Sequence, residues 1–189
     1  MTAAGDRRRR LLDAAVEVVA AGGLRALTHR AVDARAGLSA GSTSYYFRTR
    51  LALLDALARH IGRLDAEDLA AFDPGAVEVS APGARERLLD AIAALLERWA
   101  GPGRARTLVR YQLLLDHAAR QGGDAGGGWK ARFAERLAGL RGLDPARCRL
   151  LAAAVDGLLL EATSEARPAD RGELRSRLDL LLGGLLPRS

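Results

Sequence analysis

Thr28-His29-Arg30-Ala31-Val32-Asp33-Ala34-Arg35-Ala36-Gly37-Leu38-Ser39-Ala40-Gly41-Ser42-Thr43-Ser44-Tyr45-Tyr46-Phe47-Arg48-Thr49-Arg50 is the stretch that decides the fold. Thr28 offers an N-cap for a short helix, Arg30 to Ala36, whose Val32 and Ala36 lie one turn apart and whose stop is Gly37. Leu38-Ser39 reads as a turn, and Ser39 as the cap of another short helix, Ala40 to Phe47. Two short helices joined in this way have the layout of a helix-turn-helix, in which the later helix enters the major groove and the earlier one crosses the DNA backbone. The content of the later helix points the same way. Ser39, Ser42, Thr43 and Ser44 are short hydrogen-bonding side chains, and Tyr45, Tyr46 and Phe47 are three of only eight aromatic residues in the chain. Gly41 permits close approach of a phosphate to the helix's amino end, where unpaired N–H groups and the helix dipole favour an anion. Arg48 and Arg50 stand at the other end for the flanking phosphates, whereas Phe47 and Leu38 read as core.

Working outward, the apolar period is helical nearly everywhere, and β-branched alternation is almost absent. The expected fold is all-α, with about nine helices. Leu12, Val16 and Val19 line a first helix ending at Gly22-Gly23, and Leu53, Leu57, Ile61 and Leu64 mark a longer helix behind the motif. Asp73-Pro74-Gly75 and Ser80 to Pro82 bracket a loop. Beyond it, Leu88, Ile92, Leu95 or Leu96, and Trp99 give one helical stripe, and Leu108, Tyr111, Leu115 and Ala118 the next, separated by Gly101-Pro102-Gly103. The glycine-rich stretch 122–128 reads as a flexible connection that can serve as a movable gate, and Trp129 to Leu140 as a further helix. Asp144-Pro145 is a helix start, an N-cap with proline at the first helical position. From Leu150 to Leu160 only Asp156 is charged, which predicts a helix buried on several sides. Asp170 with Glu173 resembles a capping box and opens a last helix with Leu174, Leu178, Leu181 and Leu185 on one face.

Charge is distributed unevenly. The 189 residues carry 29 basic against 23 acidic side chains, but residues 1–60 alone hold ten Arg against five acids. That asymmetry fits a polyanion-binding part joined to a neutral part, although charge alone does not separate it from a solvated basic surface. One or two of Arg7 to Arg10 are expected to meet phosphate or the minor groove. This basic run precedes an apolar one, Leu11 to Ala20, in the order of a signal peptide, but Asp13 and Glu17 interrupt it and an amphipathic helix is the better reading. No apolar run reaches the roughly 18 residues of a membrane span.

Residues 38–50, followed by Leu51 to Leu57, resemble the TetR/AcrR family of one-component bacterial transcription regulators, and the resemblance extends over about residues 8–58. By position it implies contacts to double-stranded DNA from Thr28 and Arg30, and from Ala40, Gly41, Ser42, Ser44, Tyr45 and Tyr46, with Arg50 on a phosphate. Three positions depart from the family pattern. Ser44 stands where tyrosine is common and Tyr46 where histidine is common, and Ala40 is too short to read a base edge by hydrogen bonding. Specificity then leans on Ser42, Ser44 and Tyr45, or on DNA shape.

The expected division is a helix-turn-helix DNA-binding domain over 1–58 and a helical ligand-binding and dimerisation domain over 59–189. A single short reader binds one half-site weakly, so a homodimer is expected, through the helices Ala146 to Ala166 and Asp170 to Leu186. Asp156 and Glu161 are candidates for pairing with Arg across that surface. The resemblance further implies a pocket for a small-molecule effector among the middle helices. Arg110, Tyr111, Asp116 and His117 are its candidate anchors and Trp99, Trp129 and Phe133 its candidate walls, each also readable as ordinary core or surface. An inducer preferring the state with wrongly spaced readers lowers DNA affinity, since half-sites lie about 34 to 36 Å apart per helical turn. Neither His29, His60 and His117 nor the lone Cys148 shows zinc-ligand spacing or a catalytic motif, so neither enzyme nor metal or cofactor chemistry is expected. The expectation is a repressor released by an inducer from a palindromic operator, cytoplasmic and on the nucleoid when bound; a ligand-independent or architectural DNA binder of the same fold is the alternative.

Overall fold

In the computed structural model the described residues are 3–72, 82–121, 128–139, 143–165 and 167–185. They form nine helices and no strand: α1 (Ala3–Ala26), α2 (His29–Ala36), α3 (Ser42–Tyr46), α4 (Arg50–Ala71), α5 (Ala84–Ala100), α6 (Arg104–Gln121), α7 (Trp129–Ala138), α8 (Pro145–Ser164) and α9 (Arg171–Leu185). The all-α expectation and its helix number agree with this. Residues 73–81 of the loop predicted over 73–82, and residues 122–127 of the expected gate at 122–128, lie outside the described residues. Contacts divide the chain into two units, 1–63 with 105–125 and 64–104 with 126–189.

In the first unit, Leu11, Ala15 and Val19 of α1 pack with Val32 of α2, Phe47, and Leu53, Leu57 and Ile61 of α4 in one buried core. The helical period read from the sequence is the one the core uses. Gly23 (φ 71, ψ 178) breaks α1 near the predicted stop. His60 on α4 is buried, and its Nε2–H donates to Asp13 Oδ1 of α1 at 2.7 Å, a polar tie across the apolar interface. The phase of α6 differs from the predicted one. Thr107, Val109, Arg110 and Leu113 are buried, whereas Leu115 is 70% exposed and Ala118 is exposed. The segment Leu108-Val109 and Leu113-Leu114-Leu115 offers two apolar phases, and packing selects the one that seats Val109 and Leu113 in the core.

The second unit is built on α5, whose Leu88, Leu89, Ile92, Leu95, Leu96 and Trp99 are all buried. Against it pack Trp129, Phe133 and Leu137 of α7, Leu151, Val155 and Leu159 of α8, and Leu174, Leu178 and Leu182 of α9. On α9 the buried stripe runs through Leu182 where Leu181 was expected; a strict i+4 repeat from Leu174 faces the core, and Leu181 is half-buried. Asp144 caps α8 as predicted, its Oδ1 accepting from Ala146 N at 2.9 Å and Arg147 N at 3.0 Å. Asp170 caps α9, accepting from Glu173 N at 2.8 Å. The Glu173 side chain pairs with Arg167 and Arg177, and the Arg167 hydrogen bond holds its carboxyl below the ordinary value. Cys148 is buried, and desolvation pushes its thiol pKa up, as for an inert core residue. Within the single chain α8 is buried on one face, and Leu150 is 56% and Leu160 49% exposed.

Candidate nucleic-acid interface

The helix-turn-helix is assembled by α2. Thr28 has extended backbone and its Oγ1 accepts from Ala31 N at 3.1 Å, while Gly37 closes the helix in the left-handed region (φ 61, ψ 38), which favours glycine. From the helix between them, two side chains one turn apart reach the two ends of α3. His29 Nε2–H donates to the Phe47 carbonyl at 2.6 Å, just past the carboxyl end of α3. The Asp33 carboxylate accepts from Gly41 N at 2.9 Å, Thr43 N at 2.7 Å and Thr43 Oγ1 at 2.5 Å at the amino end. A helix of a single turn has no cooperativity of its own, so these tertiary bonds fix it in place.

This corrects the sequence reading of the motif's second helix. The helix begins at Ser42 with Gly41 (φ 93) as its cap position, and no side chain caps it in the ordinary way. Ser39 takes part in the turn instead: its carbonyl accepts from Ser42 N at 3.1 Å and from Ser42 Oγ at 2.7 Å. The amides of Gly41 and Thr43, expected to await a phosphate, are already occupied by Asp33. Neither Asp33 nor His29 was singled out from the sequence, although their i, i+4 spacing, with Asp33 the single acidic residue of α2, was the available signal.

The candidate DNA-binding residues all stand at or near the surface. Thr28, Arg30, Ser39, Ala40, Gly41, Ser44, Tyr45, Arg48 and Arg50 are exposed, and Ser42 and Tyr46 half-buried. Thr43 and Phe47, between them in sequence, are buried. Tyr45 is 80% exposed, its ring edge-on to Tyr46 with centroids 5.0 Å apart, while Tyr46 packs on the core. Arg50 has a structural duty as well, since its Nη2 donates to the Leu24 carbonyl at 2.7 Å. Thr49 caps α4 through Ala52 N at 3.0 Å. Arg7 to Arg10 are all exposed on α1; Arg9 pairs with Asp6 at 3.3 Å, and the Arg8 guanidinium lies 5.3 Å from the centre of the Phe47 ring.

The candidate ligand residues divide between the units. Trp99, Trp129 and Phe133 are buried together in the second, with Trp99 edge-on to Trp129 at 5.0 Å and Trp129 5.9 Å from Phe133. Trp99 Nε1–H donates to Asp68 Oδ2 at 2.7 Å. Arg110, Tyr111, Asp116 and His117 belong to the first, where Arg110 is buried with its guanidinium 5.6 Å from the Tyr111 ring centre and the other three are half-buried. Asp156, a candidate for pairing across a dimer surface, pairs within the chain with Lys130 at 2.9 Å, and Glu161 with Arg177 at 3.1 Å. Among the described residues no group of three or more His, Cys, Asp or Glu is placed to hold a metal ion, and no helix is long and apolar enough to cross a membrane.

Residues 11–57 match the family described as bacterial regulatory proteins, tetR family, and residues 83–188 the family described as tetracyclin repressor-like, C-terminal domain. The HTH-type transcriptional repressor KstR of Mycolicibacterium smegmatis is 40% identical over 72 residues, which make up 37% of this chain and 35% of that protein, so the match spans about a third of that relative's length. Among solved structures, a TetR family member from Streptomyces coelicolor A3 is 30% identical with a TM-score of 0.76, over 96% of this chain and 99% of that one. The multidrug binding protein EbrR, complexed with malachite green, is 31% identical with a TM-score of 0.70, again over 96% of this chain and 99% of that one. With a helix-turn-helix locked by its own side chains in the first match and more than half of the chain in the second, the protein belongs to the TetR family of bacterial transcription regulators.

Proposed function

We propose that the protein is a sequence-specific DNA-binding repressor that leaves a palindromic operator when a small molecule binds. The observation that carries this reading is α3 itself, a one-turn helix held at both ends by α2 that leaves Tyr45 80% exposed beside Ser42 and Ser44. An aromatic side chain that is mostly solvated contributes little to a core, but it has a flat face and a hydroxyl to offer a groove. Residues 1–58 are the reader in this proposal, with Thr28, Arg30, Arg48 and Arg50 on phosphates and Ser39 to Tyr46 at the groove. Ser42 Oγ donates to Ser39 O and accepts from Ser39 Oγ at 3.3 Å, so what it has left for a base is one acceptor lone pair, which suits an amino group.

Residues 59–189 are the sensor and dimer part. Leu150, Ala153, Gly157 and Leu160 make an exposed face along α8, and Gly172, Ser176 and Leu180 one along α9. Exposed leucines separated by small residues are what close helix packing against a second copy requires, and a two-fold pair of readers matches a palindrome. For the effector, the buried cluster of Trp99, Trp129 and Phe133 with the Asp68 carboxylate offers planar stacking and an anion once these side chains part to admit it, and EbrR in its complex with malachite green supplies the first probe. The effector acts only through its differential affinity for the two states. In the chain, α4 leads from the first unit into the second and the start of α6 leads back, so both are covalent routes for that coupling.

The test is protection from nuclease of the DNA flanking the protein's own coding region, with Tyr45→Ala as control. The expected result is a protected palindrome that is lost in Tyr45→Ala and released by malachite green. Protection that no added small molecule changes assigns the chain to the ligand-independent class; no protection at low salt overturns the reader.

A further inference from the structure

We propose that Asp33 is a specificity-determining positioning residue: its buried carboxylate occupies the place of a phosphate at the amino end of α3 and commits that helix to reading DNA through its side chains. The inference rests on α3 being the reader. Asp33 is 4% exposed and Thr43 0% exposed, a buried polar pair beside the aliphatic and aromatic core of the first unit. The carboxylate accepts three hydrogen bonds, from Gly41 N, Thr43 N and Thr43 Oγ1. Those two amides are among the donors that a helix start leaves without internal partners, and they are the ones that would otherwise hold an external anion.

Space does not keep a phosphate away. A Cβ built on Gly41 meets nothing within 4 Å, so that flank of the turn is open. What closes it is that the amides are taken and that an anion stands behind them. Like charge at close range repels, and bonds to an ionised acceptor are short and directional, so one carboxylate both fixes the angle of α3 and disfavours backbone clamping at its start. Phosphate contacts set register without carrying sequence information, whereas side chains on base edges carry it. Asp33 therefore weights binding toward the second kind. His29 at the other end of α3 completes the grip but carries no such charge argument.

The test compares full-length wild type, Asp33→Asn and the double variant Asp33→Ala with Thr43→Val. The probes are a duplex selected by the wild-type protein from a random-sequence pool and a scrambled duplex of equal length, at one salt concentration. Asn keeps one acceptor facing the two amides, whereas the double variant removes carboxylate and hydroxyl together, so the two variants disturb the fold in different ways and share only the loss of the charge. In either variant the affinity for the selected duplex is expected to fall about tenfold or more, the cost of about one mismatched base pair, while affinity for the scrambled duplex holds or rises. A merely structural role lowers both affinities together and in step with Tm, and that result overturns the proposal. Unchanged discrimination in a folded variant overturns it too. Tyr45→Ala separates the two levels of argument: if Tyr45→Ala discriminates normally, α3 is not the reader and the proposal fails with it; if Tyr45→Ala loses discrimination and the Asp33 variants keep theirs, only the role of Asp33 is refuted.

Discussion

Tyr45 and Phe47, two positions apart, divide the work of the reading segment. Phe47 is 3% exposed and belongs to the core, while Tyr45 touches mainly solvent. Tyr45→Ala is accordingly expected to leave thermal stability within about 0.5 kcal/mol of wild type while lowering operator affinity, as calorimetry and gel shift together would record. Thr28→Ala removes the α2 cap and should cost about 1 kcal/mol in denaturant unfolding. Asp144 makes a pH-dependent case. Its hydrogen bonds from Arg147 N and Ala146 N hold its carboxyl below the ordinary value. A lowered folded-state pKa means stabilisation that is complete above the unfolded value and disappears as pH falls through the folded one. The difference in Tm between wild type and Asp144→Ala should therefore be constant above about pH 5 and shrink below about pH 4. Both caps were legible in the sequence because a cap is local chemistry. The bonds of Asp33 to residues eight and ten positions away were not.

At the scale of elements, the helices with one strong apolar stripe were read in phase and the others were not. α1 and α5 carry a single unambiguous stripe, and the core follows it. α6 carries two, and only the neighbours that claim Val109 and Leu113 resolve the choice. α3 is too short to have a stripe, and its start was misplaced by two residues because its cap comes from another helix. α7 supplies Phe133, fully buried between Phe72 and Trp129. Phe133→Ala should cost about 3–5 kcal/mol in denaturant unfolding, a loss set by the cavity it leaves. Trp99→Phe leaves Asp68 with one donor fewer and removes an indole from the same cluster, a milder change.

For the whole molecule the expected consequences are assembly and salt dependence. Leu160→Glu together with Leu180→Glu places charge on the exposed faces of α8 and α9 and touches no buried residue. Light scattering should report a monomer with an unchanged helical spectrum and weakened operator binding, since a single reader holds one half-site. A variant that stays dimeric would move the interface elsewhere. Removing Arg48, which is exposed, should weaken binding at all sequences alike and reduce the salt slope by about one.

The sequence by itself determined the helical class, the helix-turn-helix, the caps at Thr28, Asp144 and Asp170 and the concentration of positive charge in the first sixty residues. These are properties of neighbours in the chain, decided by side-chain reach over three or four residues. Tertiary structure alone decided that α2 holds α3 through His29 and Asp33, that Arg50 also caps the end of α1, and which face of α6 is buried. Each of these depends on groups far apart in sequence competing for the same donor or the same apolar space, and that competition has an outcome only once the helices are packed.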